Sequence, residues 1–194
     1  MELKEVVRRR RMVRAYRDQP VERARLERVL AVARRVPSAG FSQGHYFVVV
    51  TSPDTRQAIA ELAGEAVYLE KGFDPWLSSA PVHVVVAVRE EDYRHRYRQP
   101  DKRGGIEGPV PYWWMDGGAA FLMLLLAAVD EGLAAGFLGA HRLEGLRDLL
   151  GIPADVQPLG LVTLGYPASD RRSCSLARGW KELSHVVRWE RWSG

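Results

Sequence analysis

Arg8-Arg9-Arg10-Arg11-Met12-Val13-Arg14 is the densest charge in the chain, with five arginines in seven residues. On a helix, residues three or four apart share a face, so the run is predicted to be helical with Arg10 and Arg14 pointing the same way and Arg11 beside Arg14. Guanidiniums gathered on one face repel one another unless an anion sits among them. A phosphate suits that place, because each guanidinium fork can grip two of its oxygens. The rest of the sequence has to say what the anion belongs to.

Outward from this run, Tyr16 to Pro20 is a connector and Val21 starts a second helix, with Leu26, Leu30 and Ala33 stepping along one face until Val36-Pro37 stops it. Pro37 to Gly44 is a turn-rich loop, and His45 to Val50 is a strand of aromatic and β-branched residues. Ser52-Pro53-Asp54 caps a helix expected to run to about Glu70 with Ala58, Leu62 and Val67 inward. Pro81 to Val88 is a nearly continuous apolar strand, as expected when both faces of a sheet are covered. Glu90 to Pro111 is polar, carries Pro100, Pro109 and Pro111, and is expected to be a structureless lid or binding loop. Tyr112-Trp113-Trp114 leads into a helix over about Met115–Glu131. That helix is apolar almost all round and belongs at the centre of the fold or in an interface. A short segment through Gly136 to Ala140, a helix over Leu143–Leu150, a strand over Leu159–Gly165 and a basic, aromatic tail complete the chain. Without repeats or linkers, this pattern predicts a single α+β domain over residues 1–194.

At 194 residues and 21.8 kDa the chain can bury an ample core. A net charge of +4 permits an acidic ligand without demanding nucleic acid. An arginine arm tracking nucleic-acid phosphates is an alternative, but no recognition helix or stacking platform accompanies the run. The single cysteine, Cys174, excludes an internal disulfide and a cysteine-based zinc site. Charged residues near the start leave no apolar signal region, and the longest apolar run, Gly117 to Val129, is short of the roughly 18 residues that span a bilayer. The expected setting is the cytoplasm, with no membrane and no nucleic-acid partner.

Motifs for chemistry are sparse. Gly40-Phe41-Ser42-Gln43-Gly44 fits G-x-S-x-G, with Asp116 and His141 following in hydrolase order. A nucleophile elbow, however, needs a strand before the serine and a helix after it, and here the order is reversed. No G-x-G-x-x-G follows a strand and no phosphate-binding G-x-x-x-x-G-K-[ST] loop is present. His45, His83, His95, His141 and His185 are scattered without ligand spacing, so no metal site is expected. Asp116 borders the apolar helix, where a place near its positive dipole end explains it. No catalytic acid or base is assigned. The Pro37–Gly44 loop admits two readings. Small Ser38, Ala39 and Gly40 would let a flat ligand approach the backbone, with the Gln43 amide at its edge, or the loop is only a turn.

Four elements, taken together and in order over nearly the whole chain, resemble the FMN-dependent nitroreductase family. Arg10-Arg11-Met12-Val13-Arg14-Ala15-Tyr16 with Pro20-Val21 is similar to its R-R-S-x-R-x-F/Y opening followed by P-V. Pro37-Ser38-Ala39-Gly40-Phe41-Ser42-Gln43 before His45 to Val50 resembles its A-P-S-x-x-N-x-Q-P-W element. Asp116-Gly117-Gly118-Ala119-Ala120 through Gly132-Leu133 resembles its D-x-G-x-A helix, and Leu164-Gly165-Tyr166-Pro167 its L-G-Y-P strand end.

The resemblance implies a mostly antiparallel central sheet flanked by helices, an intertwined homodimer, and FMN as cofactor reduced by NAD(P)H. The acceptor would be a small electron-poor aromatic, nitroaromatic or quinone-like, served by a ping-pong mechanism. It further implies that Arg10 and Arg14 grip the FMN phosphate with Arg11 beside the flavin, and that Arg178 reaches the same phosphate from the tail. Pro37, Ser38, Ala39 and Gln43 would line the isoalloxazine from the partner subunit, and Leu138-Gly139 would present backbone to flavin N5. Phe41, Tyr112, Trp113 and Trp114 are candidates to wall the acceptor site. Met12 stands where the family often has a phosphate-binding hydroxyl, Phe41 where asparagine is common, and Gly44-His45 where Pro-Trp is usual. A specialised relative, benzimidazole-forming or dehalogenating, is the alternative within the family.

Overall fold

The structure, a computed structural model, describes residues 1–102, 111–170 and 174–192. Its centre is β2 (Val82–Val88), a run of valines with one histidine and one alanine, buried at every position. Such a strand can satisfy its backbone only with a neighbour on each side. It pairs antiparallel with β1 (His45–Val50), His45 opposite Val88, and with β4 (Gln157–Gly165), Val82 opposite Leu164. β3 (Ala134–Gly139) closes the order β1-β2-β4-β3, with Ala134 opposite Gly165 and Gly139 opposite Gly160.

Each face of this sheet carries its own core. On one, Val82, Val84, Val86, Ala135, Val162 and Leu164 meet α2 (Arg23–Ala33) and α6 (Tyr112–Asp130) through Leu26, Val29, Ala120, Leu124 and Ala128. On the other, Val85 and Leu161 meet α3 (Pro53–Leu62) through Ile59 and Ala60, and α7 (Leu146–Leu150) through Leu146. Burying one such leucine contributes roughly 1.5–3 kcal/mol. α6 is long and apolar enough by length and composition to cross a membrane, but here its buried row packs on α2 and the sheet.

The structure corrects four expectations. The basic run is not one helix. α1 (Leu3–Arg9) stops as Arg10 turns extended (φ −60°, ψ 121°), and Met12 then pairs in parallel with Ala135. An edge strand offers unpaired backbone groups, and β3 takes the Val13 N–H on the Ala135 carbonyl at 2.9 Å. That pairing and the burial of Val13 outweigh the helix preference of Arg and Met. The expected helix to Glu70 breaks at Gly64 (φ +67°) and resumes as α4 (Glu65–Glu70). Leu62 and Val67 are exposed, while Ile59, Ala60 and Ala63 take the core.

The segment at Gly136–Ala140 belongs to a full strand, β3. The polar stretch after Val88 opens as a helix, α5 (Glu90–Tyr97), with Glu90, Glu91 and Asp92 in its first turn and Arg94, His95 and Arg96 in its last. That charge order complements the helix dipole and was readable in the sequence. Of the same stretch, residues 103–110 lie outside the described residues.

Candidate functional site

The arginines of the opening run have different fates. Arg8 and Arg9 fold back on Glu5, Arg8 at 2.8 Å, and their hydrogen bonds hold the Glu5 carboxyl down to about 2. Arg11 donates to Asp170 Oδ2 at 2.9 Å; that carboxylate is only 8% exposed and also takes the Arg14 backbone N–H at 3.3 Å. Arg10 and Arg14 have no carboxylate partner among the described residues. The Arg14 guanidinium instead stands 5.6 Å from the centre of the Trp76 ring.

Trp76 is fixed from behind. The buried Glu65 carboxylate accepts the backbone N–H groups of Trp76 at 2.8 Å and Leu77 at 2.6 Å. Gly136 makes room in front, because a Cβ there would lie 2.5 Å from the Val13 carbonyl oxygen, 2.7 Å from Thr163 Oγ1 and 3.0 Å from Trp76 Cζ3. The segment carrying Met12, Val13 and Arg14 is therefore laid on β3 through backbone contacts. Met12 contributes an exposed thioether.

Arg178 ends the 3-10 turn Cys174–Arg178 in the tail. Its side chain is exposed.

The Pro37–Gly44 loop is built separately. Ala39–Phe41 forms a single 3-10 turn, and Gly40, Phe41 and Gln43 take φ of +61°, +60° and +54°. Ser38 Oγ accepts the Gln43 N–H at 2.9 Å, and the Ser42 hydroxyl donates to the Ala39 carbonyl at 2.6 Å. Asp116 Oδ2 takes the Ala39 N–H at 2.9 Å and the Tyr93 hydroxyl at 2.8 Å. Burial and that carboxylate push the Tyr93 phenol well above its ordinary range, so it stays a donor. Pro37 and Gln43 are exposed, and Phe41 is 74% exposed. Ser42 is thus an internal turn residue, and Asp116 is engaged by Ala39 and Tyr93, so the serine-hydrolase motif has no triad behind it.

Leu138 and Gly139 finish β3 opposite Leu161 and Gly160. A Cβ on Gly139 would sit 2.8 Å from His141 Nδ1, so the imidazole packs directly against the glycine backbone at the strand end. Beside it opens a cavity of about 600 Å³, lined in part by Trp114, His141, Leu143, Arg147, Gln157 and Leu159. Sequence reasoning missed Asp170, Trp76, Glu65, Tyr93 and Arg96. The first three act across chain separations that no local pattern reports. Tyr93 and Arg96 lay inside a stretch expected to be structureless.

An antiparallel sheet of this order, with a buried central helix on one face and an arginine segment laid on its edge strand, defines an α+β fold. The Nitroreductase family profile matches residues 7–166, and the chain belongs to that family. It is 30% identical over 175 residues to an NADH dehydrogenase of Thermus thermophilus, covering 83% of this chain and 84% of that protein. It is 28% identical over 167 residues to an FMN reductase (NAD(P)H) of Bacillus subtilis, covering 81% and 63%. The fold matches the NADPH:FMN oxidoreductase of Vibrio harveyi, solved in complex with NAD+, with a TM-score of 0.77 at 21% identity over 99% of this chain and 78% of that one.

Proposed function

We propose that this protein is an FMN-dependent NAD(P)H oxidoreductase that delivers reducing equivalents to a small electron-poor aromatic, nitroaromatic or quinone-like. The observation that carries this reading is the pair Arg10 and Arg14, two guanidiniums without a carboxylate partner among the described residues, on a segment fixed by backbone pairing to β3. Cations without a carboxylate partner among the described residues suit a phosphate dianion. The names of the Bacillus and Vibrio relatives support FMN and a reduced nicotinamide as the pair involved.

The residues present fit the cofactor. Arg10 and Arg14 hold its phosphate, with Arg178 as a further cation from the tail. Arg11, already bonded to Asp170, sets the segment rather than the charge. Met12 offers backbone only. Leu138-Gly139 offers its backbone at the strand end to N5, and Pro37, Ser38, Ala39 and Gln43 line the ring from the partner subunit. FMN, when bound, supplies hydride transfer from NAD(P)H and on to the acceptor in alternating half-reactions, chemistry no side chain provides. The chain's part is to bind, orient and exclude water, and no side chain is assigned a proton. Phe41 walls the acceptor. The protein acts as a homodimer in the cytoplasm.

The visible spectrum of the purified protein tests this. Flavin bands that bleach with NADH or NADPH and return when a nitroaromatic or quinone is added are the expected result. A protein that takes up no FMN on reconstitution rejects the reading. One that binds FMN and is bleached by neither nucleotide rejects its reductant.

A further inference from the structure

The loop from Ser38 to Gln43 carries its own turn hydrogen bonds and is held from outside as well. Phe41 and Gln43 occupy the left-handed region, which residues other than glycine avoid, and both side chains are exposed. The restraint comes from α5 and α6. Arg96 Nε donates to the Gly40 carbonyl at 2.8 Å, and Asp101 fixes the same guanidinium at 2.7 and 2.8 Å. Gly40 and Gly44 press on the rings of Tyr97 and Tyr93, where a Cβ would fall 2.7 and 2.5 Å from ring carbons.

Asp116 is the junction of this brace, since one of its oxygens takes both the Ala39 amide and the Tyr93 hydroxyl. Its own place is set by the next residue. Gly117 lets α6 sit so close to the sheet that a Cβ would lie 2.2 Å from Leu159 Cδ1 and 2.8 Å from Val88 Cγ1. The position of the loop is thereby referred back to β2 and β4.

We infer that Asp116 is a positioning residue for the ligand-facing loop. Its carboxylate, with Tyr93 and Arg96, holds the Ser38–Gln43 loop, left-handed at Gly40, Phe41 and Gln43, in the form that presents Phe41 and the loop backbone to the bound ring. The inference rests on the FMN reading above for the identity of that ring, but not for the brace itself. A charged oxygen accepting two donors is stronger than a neutral one, and an asparagine carbonyl offers the same place with weaker bonds. An aspartate serving only the helix dipole would leave the loop unmoved when replaced.

Two readouts separate the parts. The first is amide hydrogen exchange over residues 38–44 in flavin-free protein, and the second is FMN titration with the absorbance and circular dichroism of the bound flavin. Asp116→Ala is expected to speed exchange across the loop, weaken FMN by about tenfold or more and shift the flavin bands; Asp116→Asn should recover most of each. Tyr93→Phe, which keeps the packing and removes one donor, should fall between and decides the matter should Asp116→Ala not fold.

Unchanged exchange in Asp116→Ala and Tyr93→Phe overturns the brace. Faster exchange with unchanged FMN affinity and bands overturns the assignment of the loop to the ring. Wild-type protein that takes up no flavin overturns the FMN reading, while the exchange comparison still decides the brace.

Discussion

Arg14 and Arg8 are the same residue type six positions apart, yet their surroundings give them different work. Arg8 is neutralised by Glu5 three residues away, on the same face of α1. The Arg14 guanidinium, without a carboxylate partner among the described residues, stands over the Trp76 ring, which attracts a cation without discharging it. Arg14→Ala should therefore cost FMN affinity on the order of tenfold to a hundredfold, as expected for losing a charged hydrogen-bond donor to phosphate. Arg8→Ala should leave it unchanged; fluorescence titration of both variants checks the pair. Equal flavin occupancy in the two would move the grip elsewhere. From sequence the resemblance put Arg10, Arg11 and Arg14 together as the grip; the structure separates Arg11, which is paired with Asp170, from the other two. That separation was not legible, because Asp170 lies 159 residues from Arg11 and nothing local announces it.

At the scale of elements, the strands were legible because their composition fixes them. A valine run buried on both faces can only be a central strand, and β1 and β2 stand almost where the sequence puts them. β3 was read only as a short segment, since Ala-Ala-Gly-Phe-Leu-Gly carries little strand preference. Its small residues serve packing instead. Gly136 admits Val13 and Trp76, so Gly136→Ala should destabilise the fold by about 1–3 kcal/mol in chemical denaturation, by forcing a methyl into a backbone oxygen. It should also loosen FMN by shifting the segment that bears Arg14.

His83 in β2 gives a second check. It is fully buried, its Nε2 lies 2.8 Å from the Leu77 carbonyl, and burial pushes its pKa down to about 4. In the unfolded chain the imidazole titrates near 6.5. Its neutral form thus contributes stability that is complete above about pH 6.5 and is lost as the pH falls through about 4, roughly 3 kcal/mol in all. His83→Leu should flatten the stability profile in that window. A slope unchanged by the substitution would place the acid sensitivity elsewhere.

The whole molecule leaves apolar surface that one chain does not use. Along α6, Met115 and Leu122 are 64% and 52% exposed with Gly118 between them, a stripe at helical spacing opposite the buried row. In the tail, Trp180, Trp189 and Trp192 are each more than 80% exposed, and no described residue of α8 (Leu183–Val186) is buried. Apolar surface on this scale marks an interface, and a second copy is the partner proposed above. Light scattering should give twice the 21.8 kDa chain mass, and Leu122→Arg should shift the protein toward monomer.

A sharper test asks which chain supplies what. Within one chain, the arginine segment is anchored on β3 and the Ser38–Gln43 loop on α5 and α6, with no hydrogen bond between them among the described residues. Take an Arg14→Ala chain and an Asp116→Ala chain, each defective in FMN binding, and refold them together. If grip and loop come from different subunits, every mixed dimer has one site with both defects and one with neither. Random pairing then restores strong FMN binding at about a quarter of all sites. If one chain supplied both parts, every site would keep one defect and mixing would restore nothing.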